Sequence, residues 1–107
     1  MYGVPTPDNI INFHGKVMSA DSLKPIPGIN VKVYSEYHDT VRSATNNTGD
    51  YSVDKYAVEN QKVMLVFTDT DSAQNGKFFN KTVEVDVSFR DVNNMEHLTD
   101  ITLQRKP

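Results

Sequence analysis

Ile29-Asn-Val-Lys-Val33 changes from apolar to polar at every step, so Ile29, Val31 and Val33 share one face of an extended chain while Asn30 and Lys32 share the other. A period of two belongs to a β-strand with one buried face. The pattern recurs on both sides. Upstream, Ile11, Phe13 and Val17 alternate with Asn12, His14 and Lys16, and far downstream Val83, Val85 and Val87 alternate with Thr82, Glu84 and Asp86. Composition agrees, since thirteen Val, nine Thr and five Ile stand against four Ala and four Leu. β-Branched side chains lose rotamer freedom in a helix and pack well on a pleated sheet. The chain reads as all-β.

The connections are equally legible. Residues 19–28 hold Asp21, Pro25, Pro27 and Gly28, and a residue before proline is pushed out of the helical region, which makes this a loop. A third strand falls near 40–45. Asn46-Asn-Thr-Gly-Asp50 then supplies residues that tolerate positive φ, and Tyr51 and Val53 begin a return strand, predicting a hairpin. Val63-Met-Leu-Val-Phe67 is an unbroken apolar run, which predicts a central strand covered on both sides. A polar loop follows over 69–76. Leu98, Ile101 and Leu103 close the chain, and 91–96 leaves room for at most one short helical turn. Seven strands in this length predict an antiparallel two-sheet sandwich, because a single flat sheet would leave a face wet. Residues 1–9, with two prolines and no periodicity, read as an extended tether ahead of a sandwich over 10–107. A chain of 107 residues makes one domain.

Charge and motif content exclude several functions. Eleven basic and fourteen acidic residues give a net charge of −3, and the basic ones are scattered singly from Lys16 to Lys106, so no nucleic-acid footprint is expected. No run approaches the roughly 18–20 apolar residues of a membrane span. The chain has no cysteine, which excludes disulfides, thiol catalysis and zinc-thiolate sites. It has no Gly-x-Ser-x-Gly elbow, His-Glu-x-x-His helix or phosphate-binding glycine loop. The expectation is a protein that is not an enzyme and carries no catalytic residue. His14, His38 and His97 could form a metal set, but their places in the strand pattern read as three separate solvent-facing side chains.

Two candidate sites remain. Asp69, Asp71, Ser72 and Asn75 crowd one loop with hard oxygen ligands, the chemistry that calcium takes. Their spacing is not that of an EF-hand, because Ala73 stands where a ligand is needed; the alternative is a solvated turn. Tyr34 and Tyr37, flanking the end of the second strand, could offer an aromatic platform to a sugar or peptide, together with Tyr56.

The runs Phe13-His-Gly-Lys-Val17, Lys24-Pro-Ile-Pro-Gly-Ile-Asn-Val-Lys-Val33 and Thr45-Asn-Asn-Thr-Gly-Asp-Tyr-Ser-Val53 resemble, in order, the motifs of the carboxypeptidase regulatory-like, transthyretin-like domain family. The resemblance implies a transthyretin (prealbumin)-like sandwich in which Gly28 turns the loop into the second strand, Gly49 permits the reversal and Tyr51 sits on the core.

Met1-Tyr-Gly-Val-Pro5, with Asp69-x-Asp71, Asn75-Gly-Lys-Phe78 and Lys81-Thr-Val83, is similar to small Bacteroidetes lipoproteins encoded beside radical SAM enzymes. That similarity implies a cell-envelope location outside the cytoplasm, on a lipid anchor ahead of Met1. The sequons at Asn46 and Asn80 carry no meaning in such a bacterial setting. Three roles follow as expectations: an accessory or binding module with an envelope partner, a substrate modified by a partner radical SAM enzyme, or a carbohydrate- or peptide-binding protein.

Overall fold

The computed structural model describes residues 10–35, 40–57, 60–69 and 77–106, and the backbone alone at 89 and 90. Eight strands and one short helix follow one another: β1 Ile10–Ser19, β2 Ile29–Ser35, β3 Val41–Ala44, β4 Asp50–Tyr56, β5 Lys62–Asp69, β6 Lys81–Asp86, α1 Phe89–Asn94, β7 Glu96–Leu98 and β8 Ile101–Leu103. They form two sheets. In one, β1 lies between β4 and the pair β7 and β8; the other runs β3-β2-β5-β6. The expected all-β sandwich is therefore present. The tether reading of 1–9 lies outside the described residues.

Alternation decides the core. Ile11, Phe13 and Val17 of β1 face Ile29, Val31 and Val33 of β2 and Val63, Leu65 and Phe67 of β5, and all nine are completely buried. Tyr51 of β4 meets Phe67 across the two sheets, edge to face, with ring centroids 5.3 Å apart, the geometry aromatic quadrupoles favour.

Three expectations are corrected. Strand β5 is interior to its sheet, paired to β2 and β6, but only one of its faces is covered. Met64 and Val66 point outward and are half-buried. Their apolar character had suggested a second cover that a two-layer sandwich does not provide. The β3–β4 connection is not a hairpin either, since β3 pairs with β2 and β4 pairs with β1. The chain reverses locally at 46–50 and changes sheets there.

Third, the last two strands run parallel to β1, β7 alongside 12–14 and β8 alongside 17–19. Parallel neighbours need a crossover, and the segment from β6 through α1 supplies it. Strand β7 is also not an apolar strand in its own right, because Leu98 is left exposed.

The sheet-changing corner is held by its own side chains. Thr45 is buried; its hydroxyl donates to the Ile26 carbonyl at 2.7 Å and accepts from the Ile29 amide at 2.9 Å. The Asn46 side-chain oxygen accepts from the Thr48 and Asp50 amides, both at 3.0 Å. Gly49 has φ of 78°, and a Cβ there would lie 2.7 Å from the Val17 carbonyl oxygen and 2.8 Å from Pro25 Cβ. Positive φ and close approach both require glycine.

Two outcomes follow for urea unfolding. Phe67→Ala is expected to cost about 3–5 kcal/mol, as a buried aromatic truncation does, whereas Met64→Ala on the same strand costs about 1 kcal/mol or less. Gly49→Val is expected to cost more than about 1 kcal/mol, because a β-branched side chain collides with its own backbone at positive φ. Equal losses at Phe67 and Met64 would contradict the one-sided burial of β5.

Candidate functional site

Strand pairing builds a row of polar side chains on the outer face of the β4-β1-β7 sheet. Asn12 and His14 lie two apart on β1, hence on one face, and antiparallel pairing sets Asp54 opposite Asn12 and Ser52 opposite His14. The Asn12 amide nitrogen donates to Asp54 Oδ1 at 2.9 Å and to Ser52 Oγ at 2.8 Å. A carboxylate only accepts, so the amide must present its NH2 to Asp54 and its oxygen to the other side. That oxygen stands 2.9 Å from His14 Nδ1. His14 Nδ1 therefore carries the proton and donates, which leaves Nε2 of the neutral ring as an acceptor.

His14 also lines a shallow depression of about 310 Å3, together with Gly15, Lys16, Asp50, Tyr51, Leu98 and Asp100. Lys16 Nζ is committed to the Thr48 carbonyl at 2.9 Å and the Asp50 carboxylate at 3.3 Å. The Thr48 hydroxyl, and after it Lys16, holds the Asp50 carboxyl below its usual pKa. Burial first, and the Asp100 carboxylate second, push the Tyr51 phenol well above the ordinary tyrosine range. At neutral pH it is a donor, and it donates to the Thr99 carbonyl at 2.6 Å. The arrangement can bind a small polar group against an imidazole acceptor and an exposed Leu98.

The other candidates separate. His97 is not solvent-facing. Its register partner is Phe13, whose ring centroid is 5.9 Å away, so it points to the opposite side of the sheet from His14. Its Nδ1 lies 2.9 Å from Asp91 Oδ1. The other Asp91 oxygen accepts from the Ser88 amide at 2.9 Å and hydroxyl at 3.0 Å, closing a capping box at the start of α1. Ser88, Asp91 and His97 are the residue types of a nucleophilic triad, but a triad sets the imidazole between the other two. Here the carboxylate is in the middle, and the set is a helix cap.

Tyr34 is half-buried on the outer face of the other sheet, opposite Met64, with Lys32 Nζ 5.4 Å from its ring centroid. Tyr56 is exposed beside Ile10 at the far end of β4. The structure thus places Tyr34 and Tyr56 on different sheets. Asp69 uses Oδ2 to accept from the Phe78 amide at 3.0 Å, tying the two ends of its loop together. Tyr37, His38, Asp71, Ser72 and Asn75 lie outside the described residues. Among the described residues no three histidine or carboxylate side chains stand together as a metal set. The sequence reading missed Asn12, Ser52 and Asp54; the signal was their alternation with buried neighbours, and only the β1–β4 register brings them to His14.

Neither a protein-family model nor a curated protein sequence matches the chain. Among solved structures, the chlorocatechol 1,2-dioxygenase from Pseudomonas putida is similar over 95% of this chain and 63% of its own, with a TM-score of 0.67 and 14% identity. The C-terminal domain of the shaft pilin spaA from Lactobacillus rhamnosus GG is similar over 91% of this chain and 98% of its own, with a TM-score of 0.57 and 9% identity. A DUF3823 family protein from Parabacteroides merdae is similar over 92% and 46%, with a TM-score of 0.54 and 15% identity. The chain spans about three fifths of the dioxygenase's length. At such identities the shared property is the β-sandwich fold.

Two measurements check the site. Long-range nitrogen–proton NMR at pH 8 is expected to find His14 as the Nδ1–H tautomer, and Asn12→Ala is expected to release it toward the Nε2–H form favoured in water. The second concerns Asp91. Burial raises its pKa, but the Ser88 amide and then the His97 ring and Ser88 hydroxyl outweigh this, so the folded value lies below 3.8. A depressed carboxyl contributes stability above its unfolded pKa and loses it as pH falls through the folded value. Asp91→Asn is therefore expected to lower stability at pH 7 and to flatten the acid limb of the stability curve below about pH 4.

Proposed function

We propose that this protein is a non-enzymatic sandwich module of the cell envelope, carried on a lipid anchor by its N-terminal tether and serving as an accessory or binding domain of the carboxypeptidase regulatory-like, transthyretin-like kind. One observation supports this above the rest: the residues that carry the resemblance are used up in holding the fold. Gly28 and Gly49 adopt φ of 76° and 78°. Thr45 fastens the corner, and Tyr51 spans the two sheets with its hydroxyl on Thr99. A motif of this kind marks a scaffold, and on a scaffold function resides in surface groups that the motif does not name. The described surface offers such groups in open depressions, a form suited to holding a partner rather than enclosing a reacting substrate.

The test is made on protein from the native host. The expected result is that the polypeptide sediments with membranes, and that its intact mass exceeds the polypeptide mass by a lipid group on the N-terminal peptide alone. A fraction confined to the cytosol would overturn the envelope reading. A mass change on a peptide within 10–106 would instead make the chain the substrate of a modifying enzyme, such as a radical SAM partner.

A further inference from the structure

We infer that the ribbon formed by residues 77–81 and 102–106 carries a binding site for an anionic saccharide, a sugar ring bearing a carboxylate. The inference deepens the binding reading above by naming its ligand class, and it does not depend on how the chain is anchored.

The site begins with backbone pairing. Phe78 bridges to Arg105, the Phe79 amide donates to the Gln104 carbonyl at 2.9 Å, and the Lys106 amide donates to the Lys77 carbonyl at 2.8 Å. Adjacent residues of an extended chain point to opposite sides. Phe78 is buried, with the Arg105 guanidinium 5.0 Å from its ring centroid, so Phe79 must point outward, and it is 51% exposed.

The surroundings of that ring are chemically one-sided. Phe79, Asn80, Lys81, Thr102, Leu103 and Gln104 line a depression of about 200 Å3, and Lys106 Nζ lies 5.7 Å from the Phe79 ring centroid. Among the described residues no carboxylate lines it. Segments 77–82 and 101–106 hold four basic residues, Lys77, Lys81, Arg105 and Lys106, and no acidic one, within a chain of net charge −3. Arg105 is paired with Asp21 at 3.3 Å. Among the described residues no carboxylate pairs with Lys81 or Lys106. Lys81 Nζ only reaches the Thr102 carbonyl, at 3.4 Å.

Each group has a counterpart on an acidic sugar. The C–H face of a pyranose stacks on an exposed aromatic ring, the Asn80 and Gln104 amides and the Thr102 hydroxyl both donate and accept as sugar hydroxyls do, and two ammonium groups meet the carboxylate in charge-assisted hydrogen bonds. A membrane surface fits less well. Interfacial attachment draws on a broad apolar face beside its basic residues, and here one ring is accompanied by amides.

The experiment titrates the 15N-labelled protein with an α-1,4-linked galacturonic acid trimer, with the methyl ester of that trimer, and with phosphatidylglycerol–phosphatidylcholine vesicles. Saturable shifts confined to amides of 78–82 and 102–106 with the acid trimer, weakened by about tenfold or more with the neutral ester, are expected. Phe79→Ala and the pair Lys81→Gln with Lys106→Gln are each expected to weaken binding by a similar factor. Because all three side chains are exposed, the melting temperature should hold and a failure to fold will not confuse the result. The inference is overturned by absence of saturable shifts with the acid trimer, by equal binding of the ester, by binding that survives the substitutions, or by vesicles alone engaging these residues. Each of these leaves the envelope location as it stood, since that rests on fractionation and mass.

Discussion

The carbonyl of Thr99 lies over Gly15, in space that a side chain at position 15 would fill. Much of the first sheet depends on that approach. Strand β1 is ten residues long, and the C-terminal chain runs beside it twice, as β7 against 12–14 and as β8 against 17–19, with a break at 99–100 between them. The break faces Gly15. There the Thr99 amide donates to the His14 carbonyl at 2.9 Å, the Asp100 carboxylate accepts from the Lys16 amide at 2.9 Å, and the Tyr51 hydroxyl donates to the Thr99 carbonyl. A buried polar group left without a partner costs about 1–3 kcal/mol, so a deep-set phenol and a displaced carbonyl are better satisfied by each other than apart. Ile101 and Leu103 reach the core only because the chain passes this point.

The same contact links the sandwich's two layers. Tyr51 holds Thr99 with its hydroxyl and Phe67 with its ring, so one side chain spans from the C-terminal crossover to the middle of the opposite sheet. Its neighbour in sequence, Asp50, ends the corner built on Thr45, Asn46 and Gly49. Two residues of the corner are also fastened to β1 and the loop before β2, with the Val17 amide donating to the Gly49 carbonyl at 2.8 Å and the Thr45 hydroxyl to the Ile26 carbonyl at 2.7 Å. Corner, crossover and core therefore share side chains, which is why the recognisable motif of this chain describes architecture.

Function is left to what the architecture exposes. On the first sheet the alternation that buries Phe13 turns Asn12 and His14 outward, and the acceptor-only character of Asp54 carries through Asn12 to set which imidazole nitrogen holds the proton. At the edge of the sandwich the ribbon of 77–81 and 102–106 gathers lysines that are far apart in the chain. Phe78 and Leu103 of the ribbon belong to the core, but the outward side chains of both arrangements do not, so those can vary in chemistry without disturbing it.

Local periodicity and turn chemistry determine much of this protein within short stretches of chain. The inward residues of β1, β2 and β6 and the glycine at the corner follow from φ preferences and from a side-chain period of two, which act over a few residues, while the inward Tyr51 was implied by the family resemblance. The turn at 46–50 was legible as a reversal, but not as a change of sheet, because Asn46 and Gly49 close the same local bonds whether or not the flanking strands pair. The candidate sites were legible only in part. His14 could be assigned to an outer face, but His97, read as solvent-facing, lies on the side of Phe13, because a three-residue strand takes its facing from its partner β1 and not from its own pattern. The lysines read as scattered came together across more than twenty residues through the Phe78–Arg105 pairing. Register between distant strands is set by which faces can be buried together, and that depends on the whole core, which no single stretch of sequence contains.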